Sequence, residues 1–190
     1  MIKDYGAVFQ RGVQSISTTL DKKWLFAASR GGQLKKLSLK SQKVVRDYGT
    51  VHDNAIVCLE TTKDCKRLIT AGNDMHVMRI WVDNKKLVDK DFGQVCDNRI
   101  RSMKITADGE NLFVGDFSGH LNLVSLIDGD NIKEFGPVHA GAISAIMITE
   151  DQKLFFTSSD RGQLKQWNYK DNTLVIDHGK ISNQSITSMC

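Results

Sequence analysis

The chain has 190 residues, 41% of them hydrophobic and 25% charged, an ordinary balance for a globular protein and one that argues against disorder. Its 26 basic and 22 acidic residues leave a net charge of +4, too mild for a dedicated nucleic-acid binder, which carries a dense basic stripe. No stretch reaches the roughly 18 apolar residues of a membrane span, and Met1–Gln10 lacks the apolar run of a secretory signal.

Taken in chain order, the sequence repeats. Gly6, Gly49, Gly93, Gly136 and Gly179 are separated by 43, 44, 43 and 43 residues. Asp4, Asp47, Asp91, Glu134 and Asp177 stand two places before them, and Val8, Val51, Val95, Val138 and Ile181 two places after. Further on come Val13, Ile56, Ile100, Ile143 and Ile186, then Thr19, Thr62, Thr106 and Thr149, then Asp21, Asp64, Asp108 and Asp151. Columns held in register at this period define repeats at about 7–49, 50–93, 94–136 and 137–179, with a partial fifth at 180–190.

Within each repeat the elements are strands. In the fourth, Ala142–Thr149 is a first run, Leu154–Thr157 a second, Leu164–Asn168 a third and Thr173–Ile176 a fourth. Gly and Asp turns separate runs rich in Ile, Val, Leu, Phe and Thr. The second runs (Leu25–Ala28, Leu68–Ala71, Leu112–Gly115) are apolar at consecutive positions, which predicts burial on both sheet faces. Gly72, Gly115 and Gly162 are expected in tight second-to-third-strand turns with positive φ, and Pro137 in a linker.

Four strands in about 43 residues is the size of a propeller blade, and here the chain resembles the WD40-repeat family over nearly its whole length. The fold class implied is all-β: four four-stranded blades plus part of a fifth, an open arc or part of a larger propeller. A WD40 blade carries histidine before its first strand, a hydroxyl residue in the second, aspartate in the following turn and tryptophan ending the third. On this resemblance His52, Thr70, Asp74 and Trp81 would form a hydrogen-bonded network in the second repeat, and His139, Ser158, Asp160 and Trp167 one in the fourth. The Trp-Asp dipeptide itself is absent, since Val82 and Asn168 follow the tryptophans. The first and third repeats carry Phe9 and Cys96 at the histidine position, with Leu37 and Val124 at the tryptophan position.

No chemistry of its own is expected. Asp91-Phe92-Gly93 is the repeat unit rather than a kinase tripeptide, because no catalytic-loop or ATP-loop motif accompanies it. His52, His76, His120, His139 and His178 lack metal-ligand spacing, so neither metal nor cofactor is expected. Cys58, Cys65, Cys96 and Cys190 form no CxxC pair and read as reduced thiols of an intracellular, cytoplasmic protein.

The resemblance implies a non-enzymatic scaffold for other proteins. Arg11, Arg99 and Arg101 fall near linkers and first-strand starts, Arg30 and Arg161 in second-to-third-strand turns. WD40 propellers gather those loops on one partner-binding rim, and guanidinium suits the carboxylate or phosphate of a partner. The alternative reading is a binder of phosphorylated ligand or nucleic acid through that rim. Four repeats are few for a closed ring. The chain is therefore expected to be a piece of a longer propeller or to pair with a second chain, leaving Leu25, Phe26, Phe155 and Phe156 partly uncovered.

Overall fold

Turn chemistry explains the repeat columns. In a computed structural model describing residues 5–83 and 88–189, each column threonine and the aspartate two places on close the first hairpin of a blade. The Thr19, Thr62, Thr106 and Thr149 hydroxyls donate to Asp21, Asp64, Asp108 and Asp151 at 2.5–2.7 Å. Each carboxylate accepts a backbone N–H two residues further on, from Lys23, Lys66, Glu110 or Lys153. The threonine hydroxyl then holds the residue that opens the second strand. These bonds, the hydroxyl's first, keep the Asp21, Asp64 and Asp151 carboxyls below their ordinary pKa.

Four antiparallel four-stranded sheets result, each in sequential order. Blade one is β1 (Val13–Thr18), β2 (Trp24–Ser29), β3 (Gln33–Ser38) and β4 (Val44–Thr50), and blade two is β5 (Ile56–Thr61), β6 (Arg67–Gly72), β7 (His76–Trp81) and β8 (Val88–Gln94). Blade three is β9 (Ile100–Ile105), β10 (Asn111–Asp116), β11 (His120–Ser125) and β12 (Asn131–Pro137), and blade four is β13 (Ile143–Ile148), β14 (Leu154–Ser159), β15 (Gln163–Asn168) and β16 (Leu174–Lys180). All described secondary structure is strand and turn. The fourth strands run past the acidic-x-Gly column, so Pro137 ends β12 opposite His120 rather than lying in a linker.

The column glycines mark a bulge. Gly49 opposes Leu34 while Asp47 opposes Lys35, leaving Tyr48 as the extra residue. Gly49, Gly93 and Gly179 have φ of 71°, 72° and 65°, and the aspartate two places earlier accepts each glycine's N–H at 2.8 Å.

The chain forms two compact units, 1–94 and 95–190. In the first, Phe26, Leu34, Tyr48 and Val51 of blade one and its linker pack on Ile56, Leu68, Ile80 and Val82. Polar pins cross this layer. The Tyr48 hydroxyl donates to the Val82 carbonyl at 2.9 Å. The buried Lys36 ammonium binds Val82 O and the Asp83 carboxylate, 3.9 Å from the centre of the Trp24 ring. Blade one's other face packs Leu25, Ala27 and Leu37 on Tyr5, Val8 and Phe9.

In the second unit, Phe113, Leu121 and Leu123 of blade three meet Ile143, Ile146, Phe155 and Trp167 of blade four. Phe155 stacks on Phe113 at 4.5 Å and on Trp167 at 5.7 Å between ring centroids. Phe26 and Phe155, expected to be partly uncovered, are both 0% exposed. Period-two alternation explains the correction: neighbours along a strand face opposite ways, so Phe155 lies in the layer while Phe156 remains half-buried.

Candidate functional site

Blade two assembles most of the expected network. His52 Nδ1 lies 2.9 Å from Asp74 Oδ2, and His52 Nε2 lies 2.8 Å from the Thr70 hydroxyl. Asp74 also accepts the backbone N–H groups of Asp53 and His76. A Cβ on Gly72 would sit 2.3 Å from Asp74 Oδ1 and 2.6 Å from His52 Nδ1. Gly72 therefore serves as space for this pair, not as a positive-φ turn residue.

Trp81 stays outside the network. Its indole donates to Asp89 Oδ1 at 2.9 Å, and the Arg67 guanidinium lies over its ring. Arg79 Nε donates to the other Asp89 oxygen at 2.6 Å. Trp81 pairs with Arg67 across the hairpin whereas Trp167 pairs with Phe155, so Ile80, not Trp81, shares the Trp167 column. One residue of offset puts a strand side chain on the opposite face.

In blade four the hydroxyl belongs to Thr157 rather than Ser158. The Trp167 indole donates to Thr157 Oγ1 at 2.9 Å, and that hydroxyl lies 2.8 Å from His139 Nε2. Ser158 instead meets Ser144 at 3.3 Å. Asp160 is exposed over Gly141 and does not bind His139, because the column of Asp74 is occupied here by Arg161. Ser159 fills the space that Gly72 leaves open in blade two, and its hydroxyl accepts the Arg161 and Gln163 N–H groups. His139 Nδ1 is thus buried with no hydrogen-bond partner among the described residues.

Burial, reinforced by the charge of Lys165, pushes the His139 pKa down to about 4. A folded pKa below the unfolded value means the unfolded chain binds the proton first. Stability is then full above about pH 6.5 and falls as pH drops toward 4. The loss expected is on the order of 2 kcal/mol, after discounting for partial solvent screening. Urea melts of the native chain and His139→Gln between pH 7 and 4.5 should diverge by that amount. Parallel pH profiles would remove His139 as the cause.

Sequence reasoning passed over the caps on the second-to-third-strand turns. Asp116 is 1% exposed and accepts the N–H groups of Ser118 and His120. Ser29 accepts those of Gly31 and Gln33 in the same way. The signal was present: Ser29, Asp116 and Ser159 share the column in which Gly72 is the exception. Of the three glycines expected at positive φ, only Gly162 (78°) adopts it; the others at that column are Gly32, Met75 and Gly119. Gly115 instead makes room for Ile143 and Ser102.

Arg11, Arg30, Arg99 and Arg161 each lie in a linker or hairpin turn. In blade one Arg30 Nε donates to Gln14 at 3.1 Å, and Arg11 lies against Gly31. In the second unit the Arg99 carbonyl accepts the Phe117 N–H, and the Phe117 ring is 50% exposed. Gly119, in that same turn, abuts the carbonyl of Gly141, and Arg161 packs over Gly141. Arg11, Arg30, Arg99 and Arg161 are exposed, whereas Arg101 on β9 is half-buried. Among the described residues those four exposed arginines have no ion pair, while Lys23, Lys35, Arg79, Lys153 and Lys165 each hold an aspartate.

Cys58, Cys65 and Cys96 are free thiols, and Cys190 lies outside the described residues. Burial, first of all, raises the Cys96 thiol pKa to about 12, which keeps it from acting as a thiolate nucleophile near neutrality. Among the described residues no group of three or more His, Cys, Asp or Glu could hold a metal ion. Among the described residues no helix is long and apolar enough to cross a membrane.

No protein-family model matches the sequence, and no curated protein matches it. Solved structures do. A chain in the crystal structure of the mitotic checkpoint complex is similar over 90% of this chain and 52% of its own, with a TM-score of 0.81 at 16% identity. The WD40 repeats of RRP9 are similar over 88% and 51%, with a TM-score of 0.77 at 14% identity. The chain spans about half the length of each. Four sequential four-stranded sheets and this likeness define the fold as that of a WD40-repeat β-propeller.

Proposed function

We propose that the chain is a non-enzymatic scaffold that binds other proteins, in the cytoplasm, through the turn and linker ends of its blades. Arg11, Arg30, Arg99 and Arg161 are the contact residues, and Arg101, half-buried on β9, is the fifth. The observation carrying this reading is a contrast among the arginines: Arg67 and Arg79 share the Asp89 carboxylate, whereas among the described residues these four exposed guanidinium groups have no ion pair. Guanidinium in water gains most from a planar carboxylate or a phosphate, which it can bind through paired N–H groups. Partners with acidic or phosphorylated segments fit these guanidinium groups. Phe117, exposed beside Arg99, adds the apolar anchor that protein interfaces favour.

The test is affinity capture on the immobilised full chain at low and high salt, native against Arg30→Glu/Arg161→Glu. Proteins retained by the native chain should be lost from the double variant and weakened by salt. Its folding stability should change by no more than about 0.5 kcal/mol. Undiminished capture by the variant at low salt would remove the arginines from the interface.

A further inference from the structure

Blades one and two carry a lysine-rich end. Their strands run up and down in sequence, so the turns after β1 (19–23), β3 (39–43) and β5 (62–66) open at one end of the strands. The Leu39 N–H donates to the Lys23 carbonyl at 3.0 Å and joins the two turns of blade one. The Thr61 hydroxyl donates to the Thr18 carbonyl at 3.0 Å, which sets the end of β5 beside the end of β1. Lys22, Lys23, Lys40, Lys43, Lys63 and Lys66 stand in these turns, all exposed. Two carboxylates share the turns with them, Asp21 and Asp64. Among the described residues Lys23 alone of the six lysines holds an ion pair, to Asp21 at 3.1 Å.

Folding does not ask for these lysines. The threonine and aspartate columns close the first-to-second-strand turns by themselves, and the equivalent turns of blades three and four carry Asp108, Glu110, Asp128, Asp130 and Glu150. Leu20 is a second departure, 66% exposed in the turn that holds Lys22 and Lys23. Lys63 and Glu150 occupy its column and are exposed as well, so the turn itself presents this position to solvent.

An ammonium group on a flexible stem acts as a hydrated point charge. Several together suit a diffuse negative surface better than a single carboxylate. Anionic lipid headgroups form such a surface and attract lysines close to it, and the headgroup boundary admits an apolar side chain. Single-stranded nucleic acid would call for aromatic platforms on which bases stack. Trp24, opening β2, and Trp81, ending β7, are the tryptophans at this end, and both rings are taken. The Lys36 ammonium lies 3.9 Å from the centre of one, and the Arg67 guanidinium 4.3 Å from the centre of the other.

We propose that the lysine-bearing turns of blades one and two form a second binding surface, for a membrane face rich in anionic lipid, with Leu20 entering the headgroup layer. Arg11 precedes β1 and Arg30 follows β2, which puts them at the other end of the strands. A protein partner on the arginines and a membrane on the lysines therefore do not compete.

Sedimentation of the full chain with vesicles tests this. The native chain should bind an equal mixture of phosphatidylserine and phosphatidylcholine, ignore phosphatidylcholine alone, and come off at high salt. Lys22→Gln/Lys23→Gln/Lys63→Gln/Lys66→Gln should weaken binding at least tenfold, since each lysine near such a surface contributes about fivefold. Leu20→Ser should weaken it severalfold, and Arg30→Glu/Arg161→Glu should leave it unchanged. A native chain that ignores the mixed vesicles overturns the proposal. So does a quadruple variant or a Leu20→Ser chain that binds them as the native one does. Loss of vesicle binding in the arginine double variant would move the contact to the other end and overturn it too. Polyuridylic acid that displaces the vesicles at equal phosphate concentration would mark the surface as one for nucleic acid instead.

Discussion

Gly119→Ala is expected to destabilise the second unit by about 3–4 kcal/mol, whereas Gly136→Ala costs about 1 kcal/mol. Both glycines lie at positive φ, 88° and 72°, so both variants carry the strain of a side chain in the left-handed region. They differ in what the new methyl meets. At Gly119 it would lie 2.1 Å from the His139 carbonyl oxygen and 2.8 Å from that of Gly141. Those atoms are backbone, tied by the Val138 and His139 N–H bonds to the Gly119 carbonyl, and cannot swing aside. At Gly136 nothing lies within 4 Å. Chemical denaturation followed by circular dichroism separates the two, and equal losses would mean the linker contact contributes nothing.

Trp167→Ala should cost about 3–5 kcal/mol, and Trp81→Ala only about 1–2 kcal/mol, since that ring is half-buried. Trp167 is 6% exposed, stacked on Phe155 and met edge-on by Phe135 at 5.6 Å. Its removal opens a cavity inside the aromatic layer between blades three and four. Trp167→Phe keeps most of the ring but removes the indole donor to Thr157, for an expected loss of about 1–2 kcal/mol. Matching melts for the Trp167 and Trp81 alanine variants would contradict the assignment of the two rings to different faces.

Those two tryptophans show where sequence reading stops. Each lies seven residues after an aspartate, Asp74 or Asp160, and by spacing alone the two sets look equivalent. The strands place them one position apart, and the pleat turns that single step into opposite faces. A steadier ruler was available: His52 to Thr70 and His139 to Thr157 are both 18 residues, which selects Thr157 over Ser158. Asp74 reaches its histidine because Gly72 has no side chain. Ser159 closes the same space in blade four, a difference visible only once the atoms are placed.

The sequence by itself determined the period, the four-stranded unit and the chemistry of its turns. Those features are local: a threonine binding an aspartate two residues on, or an aspartate binding a glycine N–H, depends only on nearby chain. It also placed arginines in the linkers and turns, because the columns fix position along the repeat. Tertiary structure alone decided which neighbour of a pair such as Phe155 and Phe156 is covered, and which cations lack an aspartate. It also decided that Gly32 and Gly119, rather than Gly72 and Gly115, bear the positive φ. Each of these depends on which sheet face meets which linker, a contact made between segments about 20 residues apart or more, and no local pattern encodes it.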